Sequence, residues 1–290
     1  MEFETARVLA ALVGVGYAAY LDYTNNRNIP DWLTYSLVAA GVLANLATLN
    51  VGVIFGALAV AFVIALIGYP LYRAGELGGA DILIFIAIAL LLPTQPKPLL
   101  APAQAMQPIY PFVLPLFLVS GVIFTFYMFL LYAPRVFASI ALGEMVGINK
   151  LRAASALVII LAYSAILWIV NSILPFAPLL LALVFFVVLA SAFFAVFKEH
   201  IARAYLVEWV PFKKIDEEDV LALEMMSKRT VARYKLHKLL SAPELQKLKK
   251  LKLKKYPIYK NLPALLPHVF VALLLLVLFG DPLSKLYPVI

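Results

Sequence analysis

The chain has 290 residues, 64% of them apolar and 14% charged, with a mean hydropathy of +0.96 and a formal net charge of +8. No single water-soluble core can hide that surplus of apolar side chains, which excludes an ordinary soluble enzyme, a disordered chain and a collagen-like fibre. There is no cysteine, so disulfides, thiolate metal sites and cysteine nucleophiles are excluded, and His200, His237 and His268 are too far apart in sequence for a compact metal motif.

A helix needs about 20 apolar residues to cross about 30 Å of hydrocarbon. In chain order the candidate spans are 5–21, 32–49, 51–71, 81–92, 111–132, 153–170, 178–197 and 262–279. They predict an all-α polytopic membrane protein with about eight transmembrane helices. The fourth is short, covering only ~18 Å at about 1.5 Å per residue. Glu2, Glu4 and Arg7 precede or open the first span, so the positive start of a cleavable signal peptide is missing. Lys and Arg are retained in the cytoplasm during insertion. Placing the N-terminus outside puts 21 of the 24 basic residues on the cytoplasmic side, leaving Arg7, Lys97 and Lys285 outside. The proline-rich loop 94–110 then reads as an external, non-helical connector. Four regions are expected: a core at 1–133, further membrane helices at 134–197, a basic cytoplasmic segment at 198–261, and a last helix with a short external tail at 262–290.

The basic segment holds 16 basic and 8 acidic residues. Residues 205–212 read as a strand. Ser241-Ala242-Pro243-Glu244 has the form of a capping box, from which a helix is expected to run to about Lys255 and stop before Pro257. Its Leu245, Leu248 and Leu251 alternate with lysines. The plain reading is a solvated lysine-rich helix; the favoured one lays it on the anionic inner leaflet. No nucleic-acid-binding module accompanies the charge.

Two acids sit hard against apolar spans: Asp22 ends the first and Asp81 begins the fourth. A carboxylate beside hydrocarbon is costly and marks a functional candidate, although an isolated one can simply face headgroup water at a helix end. With the expected topology both lie on the cytoplasmic side. Two carboxylates brought together share a proton, and such a pair can activate water with one member and polarise a carbonyl with the other. Gly78, Gly79 and Ala80 precede Asp81, and bare backbone there would let an extended peptide approach closely. The plain alternative is a turn or a helix-packing site. Asp31, just after Pro30, is best explained by the N-terminal dipole of the second span. Glu76 is either a solvated loop acid or a partner for a basic substrate residue. By the dipole argument Asp22, at a helix C-terminus, is expected to hold the shared proton, and Asp81 to be the base.

The run Leu21-Asp22-Tyr23, the polar turn after it, Ile29-Pro30-Asp31-Trp32-Leu33-Thr34, and Gly78-Gly79-Ala80-Asp81 together resemble the type IV prepilin peptidase family, most closely its archaeal preflagellin (archaellin) peptidases. In that family a G-x-G-D-like motif carries the second aspartate; here Ala80 replaces its last glycine. The resemblance covers roughly residues 15–90. It implies a GxGD-type membrane aspartic endopeptidase with Asp22 and Asp81 catalytic, and Ile29, Pro30 and Asp31 forming a structural turn. It further implies removal of a short basic leader, followed by a hydrophobic helix, from archaellin or pilin-like precursors on the cytoplasmic side of the cell membrane. The lack of cysteines, and of room before Asp22, suggests cleavage without methyl transfer, and no cofactor or metal.

Three alternatives stand beside it. A presenilin-like intramembrane aspartic protease would share the paired acids, and Pro263-Ala264-Leu265 reproduces its P-A-L triplet, which can arise by chance in a leucine-rich chain. A proton- or cation-coupled transporter would use Asp22 and Asp81 as ion sites, but requires interrupted helices near mid-membrane. A serine protease built on Ser120 and His268 is remote, since His268 reads as an interfacial residue.

Overall fold

The computed structural model describes residues 2–25, 27–101, 108, 110–144, 150–173, 178–251 and 253–282. The expected tail at 283–290, residues 102–107 of the proline-rich loop and Asn26 of the polar turn lie outside the described residues. The chain divides into two compact units. The first comprises Met1–Gly121, Val210–Ile258 and Ala264–Ile290, and the second Val122–Trp209 and Tyr259–Pro263.

All eight apolar segments form helices: α1 (Glu2–Thr24), α2 (Asp31–Ala47), α3 (Val51–Arg73), α4 (Gly79–Leu91), α5 (Val113–Ala141), α6 (Lys150–Ile173), α7 (Pro178–Ile201) and, after two shorter helices, α10 (Leu266–Phe279). Local chemistry sets several boundaries. The Asn50 side chain caps α3 by accepting from the Gly52 and Val53 N–H groups at 3.0 and 3.3 Å. Pro30 precedes α2, whose first turn carries Asp31. The fold is that of an all-α, multi-pass membrane protein. The expected count of eight spans is not supported. Among the described residues, four stretches are long and apolar enough to cross: Val51–Arg73, Val113–Ala141, Lys150–Ile173 and Leu180–Leu206. α2, α4 and α10 have only 17, 13 and 14 residues, and α1 carries Glu2, Glu4, Arg7 and Asp22 within its 23.

In the first unit α4 is the central element. It packs on α2 and α3, while α1 packs on α10. Ile84, Phe85 and Ala87 through Leu91 are all buried. Close approach depends on Gly41 of α2: a Cβ there would lie 2.6 Å from the Leu90 Cβ and 3.2 Å from the backbone of Leu90 and Leu91. At the C-terminal end of α4 the Leu90 carbonyl accepts from Arg7 Nη2 at 3.0 Å and from Asn45 Nδ2 at 2.7 Å, and Arg7 also donates to Asn45 Oδ1 at 2.6 Å. A carbonyl that the helix itself leaves unpaired is thus satisfied by side chains of α1 and α2. At ~20 Å, α4 is anchored at this end, which determines where its other end, bearing Asp81, comes to lie.

The same unit contains a small lobe, 210–258, with α8 (Lys228–Tyr234), α9 (Ala242–Leu251) and most of β2 (Tyr256–Tyr259). Its core gathers Val210, Leu221, Leu240, Leu248, Tyr256 and Ile258. The inner-leaflet reading of the lysine-rich helix gains no support from its apolar stripe. Leu248 of α9 is fully buried in the lobe, and Leu245 and Leu251 pack against the same cluster. The apolar stripe is therefore spent on the lobe, not on lipid. α9 also ends at Leu251 rather than near Lys255, and β2 follows where no strand was expected. Glu244 does not close a capping box on Ser241; it accepts the His237 N–H at 3.2 Å and pairs with Lys247. The strand expected at 205–212 is confined to β1 (Val207–Val210).

In the second unit α5, α6 and α7 form an aromatic-rich assembly. Tyr132, Val136 and Ile201 are its buried centre, with Phe193, Phe194 and Phe197 packed against them.

Candidate active site

Asp22 occupies the last turn but one residue of α1 and is buried. Its Oδ2 accepts the Leu266 N–H at 3.0 Å, a bond spanning 244 residues of sequence. Leu266 is the first residue of α10, so an unpaired N-terminal amide of one helix is satisfied by a carboxylate closing another. Asp81 is the third residue of α4 and is half-buried. Its Oδ2 accepts the Gly78 N–H at 3.1 Å, folding back over the start of its own helix. A side chain on Gly78 would place its Cβ 3.0 Å from that oxygen, so glycine here leaves the carboxylate room to reach the amide.

The two acids act on each other electrostatically. Both stand at the end of the helical group opposite the Arg7–Asn45–Leu90 anchor. Two further ionisable groups belong to the cluster. Arg27 lies within electrostatic range of both carboxyls, and His268 within range of Asp22. Arg27 follows α1 with a left-handed φ of 66°. The Nδ1 of His268 is 3.0 Å from the Ala264 carbonyl, closing the turn that presents the Leu266 amide.

The remaining candidates are placed as follows. Ile29 is buried, Pro30 takes an extended conformation ahead of α2, and Asp31 is exposed in the first turn, where its carbonyl accepts from the Thr34 hydroxyl at 3.0 Å. Gly79 and Ala80 open α4. Glu76 lies in the α3–α4 turn and pairs with Lys238 Nζ at 2.6 Å. Ser120 donates to the Phe117 carbonyl at 3.0 Å and is not brought to His268 by any described bond.

The dipole argument set Asp22 at a helix C-terminus and Asp81 at an N-terminus. Both placements hold, but Asp22 also accepts the first amide of α10, so both acids face a helix N-terminus and the asymmetry is reduced. Sequence reading also missed Arg27 and dismissed His268. It set aside Pro263-Ala264-Leu265, although the amide that follows Leu265 bonds Asp22. The only sequence signal for this end of α10 was the P-A-L triplet itself. Among the described residues no group of three or more His, Asp or Glu is arranged to hold a metal ion.

A model of the type IV leader peptidase family matches residues 9–129, a stretch that includes both aspartates, the Ile29-Pro30-Asp31 turn and the Gly78–Asp81 motif. Over this stretch the chain is similar to type IV leader peptidases. That similarity supports a leader-peptidase function on pilin-like precursors. No curated protein and no solved structure matched the chain.

Proposed function

We propose that the protein is a leader peptidase of the aspartic type, in which Asp22 and Asp81 split the peptide bond after a short basic leader, on the cytoplasmic side of the membrane. The proposed substrate is an archaellin or pilin-like precursor whose leader runs into a hydrophobic helix. The peptidase core is assigned to residues 1–133. The observation that carries the reading is the meeting of two acids, 59 residues apart in sequence, at one end of a helical group within range of each other's charge.

In this reaction one carboxylate takes a proton from water while the other, protonated, hydrogen-bonds the scissile carbonyl. The resulting tetrahedral intermediate collapses with proton transfer to the leaving amine. The Leu266 and Gly78 amides hold the two side chains in place for water and substrate. Gly78, Gly79 and Ala80 supply a stretch of low side-chain bulk beside Asp81 for an extended peptide. No cofactor is required by these steps.

The test is cleavage of a leader-bearing precursor in membranes containing the wild-type chain, Asp22→Asn, Asp81→Asn, or Asp31→Asn. The first two substitutions are expected to abolish cleavage and the third to keep most of it. Full activity in either of the first two would overturn the assignment. The Leu265–Leu266 backbone at Asp22, where a P-A-L triplet ends in the sequence, favours a second reading, cleavage within the hydrophobic helix. Mass spectrometry of the product separates the two: a cut at the leader junction supports leader removal, and a cut inside the helix supports the alternative.

A further inference from the structure

We infer that Lys238 is a built-in stand-in for the leader's basic residue, and that substrate enters by exchanging its own lysine or arginine for Lys238 at Glu76. The inference rests on the leader-peptidase reading above and adds how that site recognises charge.

Glu76 lies in the turn joining α3 to α4, five residues before Asp81. Lys238 arrives from the lobe, 162 residues further along the chain, and its Nζ sits 2.6 Å from Glu76 Oε1. The exposure of the pair is uneven: the Glu76 side chain is 57% exposed and that of Lys238 only 28%. The acid is thus open to an incoming cation, while the lysine is held. Its main chain is fixed by the Leu221 N–H, which donates to the Lys238 carbonyl at 2.7 Å.

The ion pair is not what secures the lobe to this turn. The Tyr72 hydroxyl donates to Glu218 at 2.8 Å. Val220 lies against Gly75, where an added Cβ would come within 3.2 Å of its side chain. Gly75 has a φ of +68°, a conformation that suits glycine. Lobe and turn therefore keep two other attachments when Lys238 lets go.

Exposed ion pairs contribute little to stability. Replacing one ammonium with another at Glu76 is consequently close to neutral, whereas an apolar or acidic side chain offers nothing in return for displacing Lys238. The pair thus responds to leaders by charge: only a basic residue exchanges with Lys238 at Glu76, and an apolar one leaves the pair in place. A merely structural tether predicts the opposite sign, because removing it would loosen the turn that carries the Gly78–Asp81 motif.

The experiment uses the full-length protein in liposomes with two peptides, one with lysine just before the cleavage site and one with alanine there. Lys238→Met keeps the apolar stem, and Lys238→Ala removes it. Both are expected to lower KM for the lysine peptide about two- to fivefold, with no matching gain for the alanine peptide. Glu76→Ala is expected to raise KM for the lysine peptide and to erase the effect of the Lys238 substitutions. Unchanged or raised KM in the Lys238 variants, or equal shifts for both peptides, would overturn the exchange. Failure of the wild-type protein to cleave either peptide would overturn the leader-peptidase reading itself. Cleavage that depends on Asp81 but is indifferent to Lys238 would overturn the exchange alone.

Discussion

α4 and α6 are both apolar along almost their whole length, yet they are used in opposite ways. α6, with 24 residues, buries only Ala156 among its described side chains and exposes Leu157, Leu161, Ile166 and Trp168. That is the profile of a helix whose neighbour is lipid. α4, at 13 residues, is too short to cross by itself, but it is buried from Ile84 onward apart from Ile86, gripped at Gly41 and tied down at Leu90. It is also the helix that begins with the Gly78–Asp81 motif. Length and hydropathy thus identify the helices that meet the bilayer, whereas the helix proposed to bear the chemistry is distinguished by being wrapped in protein.

Four substitutions put that contrast at risk. Asp81→Asn, at the start of α4, should reduce precursor cleavage by about 10²–10⁴-fold, the usual range for loss of a general acid or base, measured as kcat/KM in liposomes. Gly41→Val pushes a branched side chain into the Leu90 backbone and should destabilise the protein by about 1–3 kcal/mol in reversible unfolding from detergent micelles. It should also lower cleavage, since α4 would have to shift. Asn45→Ala removes one of the two donors to the Leu90 carbonyl and should cost about 1–2 kcal/mol in the same unfolding experiment. Leu161→Ala, on the outward side of α6, should change stability by no more than ~0.5 kcal/mol and leave cleavage unaltered. A cost at Leu161 equal to that at Gly41 would break the contrast.

Helix positions were legible because each rests on a long apolar run, which has few folded or membrane-inserted alternatives to helix. Span count was not, because a short helix such as α4 can be sheltered by neighbours that its own residues do not reveal. The lysine-rich α9 illustrates a second limit. Leu245, Leu248 and Leu251 announce an apolar stripe, but a stripe has the same spacing whether it meets lipid or the core around Tyr256. β2 was invisible for a related reason, being four residues that follow a lysine run and gain their pairing only in the folded lobe. At the site the acids could be read directly, since a carboxylate beside hydrocarbon is conspicuous. Their partners could not: the Leu266 amide lies 244 residues from Asp22, and a main-chain group leaves no trace in residue identity. Glu76 was suggested by its charge alone, and nothing in its surroundings pointed to Lys238.

The hydrogen bonds that seat Asp22 and Asp81 are donated by Leu266 and Gly78 through the peptide backbone, not through side chains. Replacing Leu266 with another residue that keeps its N–H leaves that donor in place. Systematic alanine scanning would therefore pass over it. The contribution at α10 would surface only when the chain itself is altered, by proline at position 266 or by an ester in place of that amide bond.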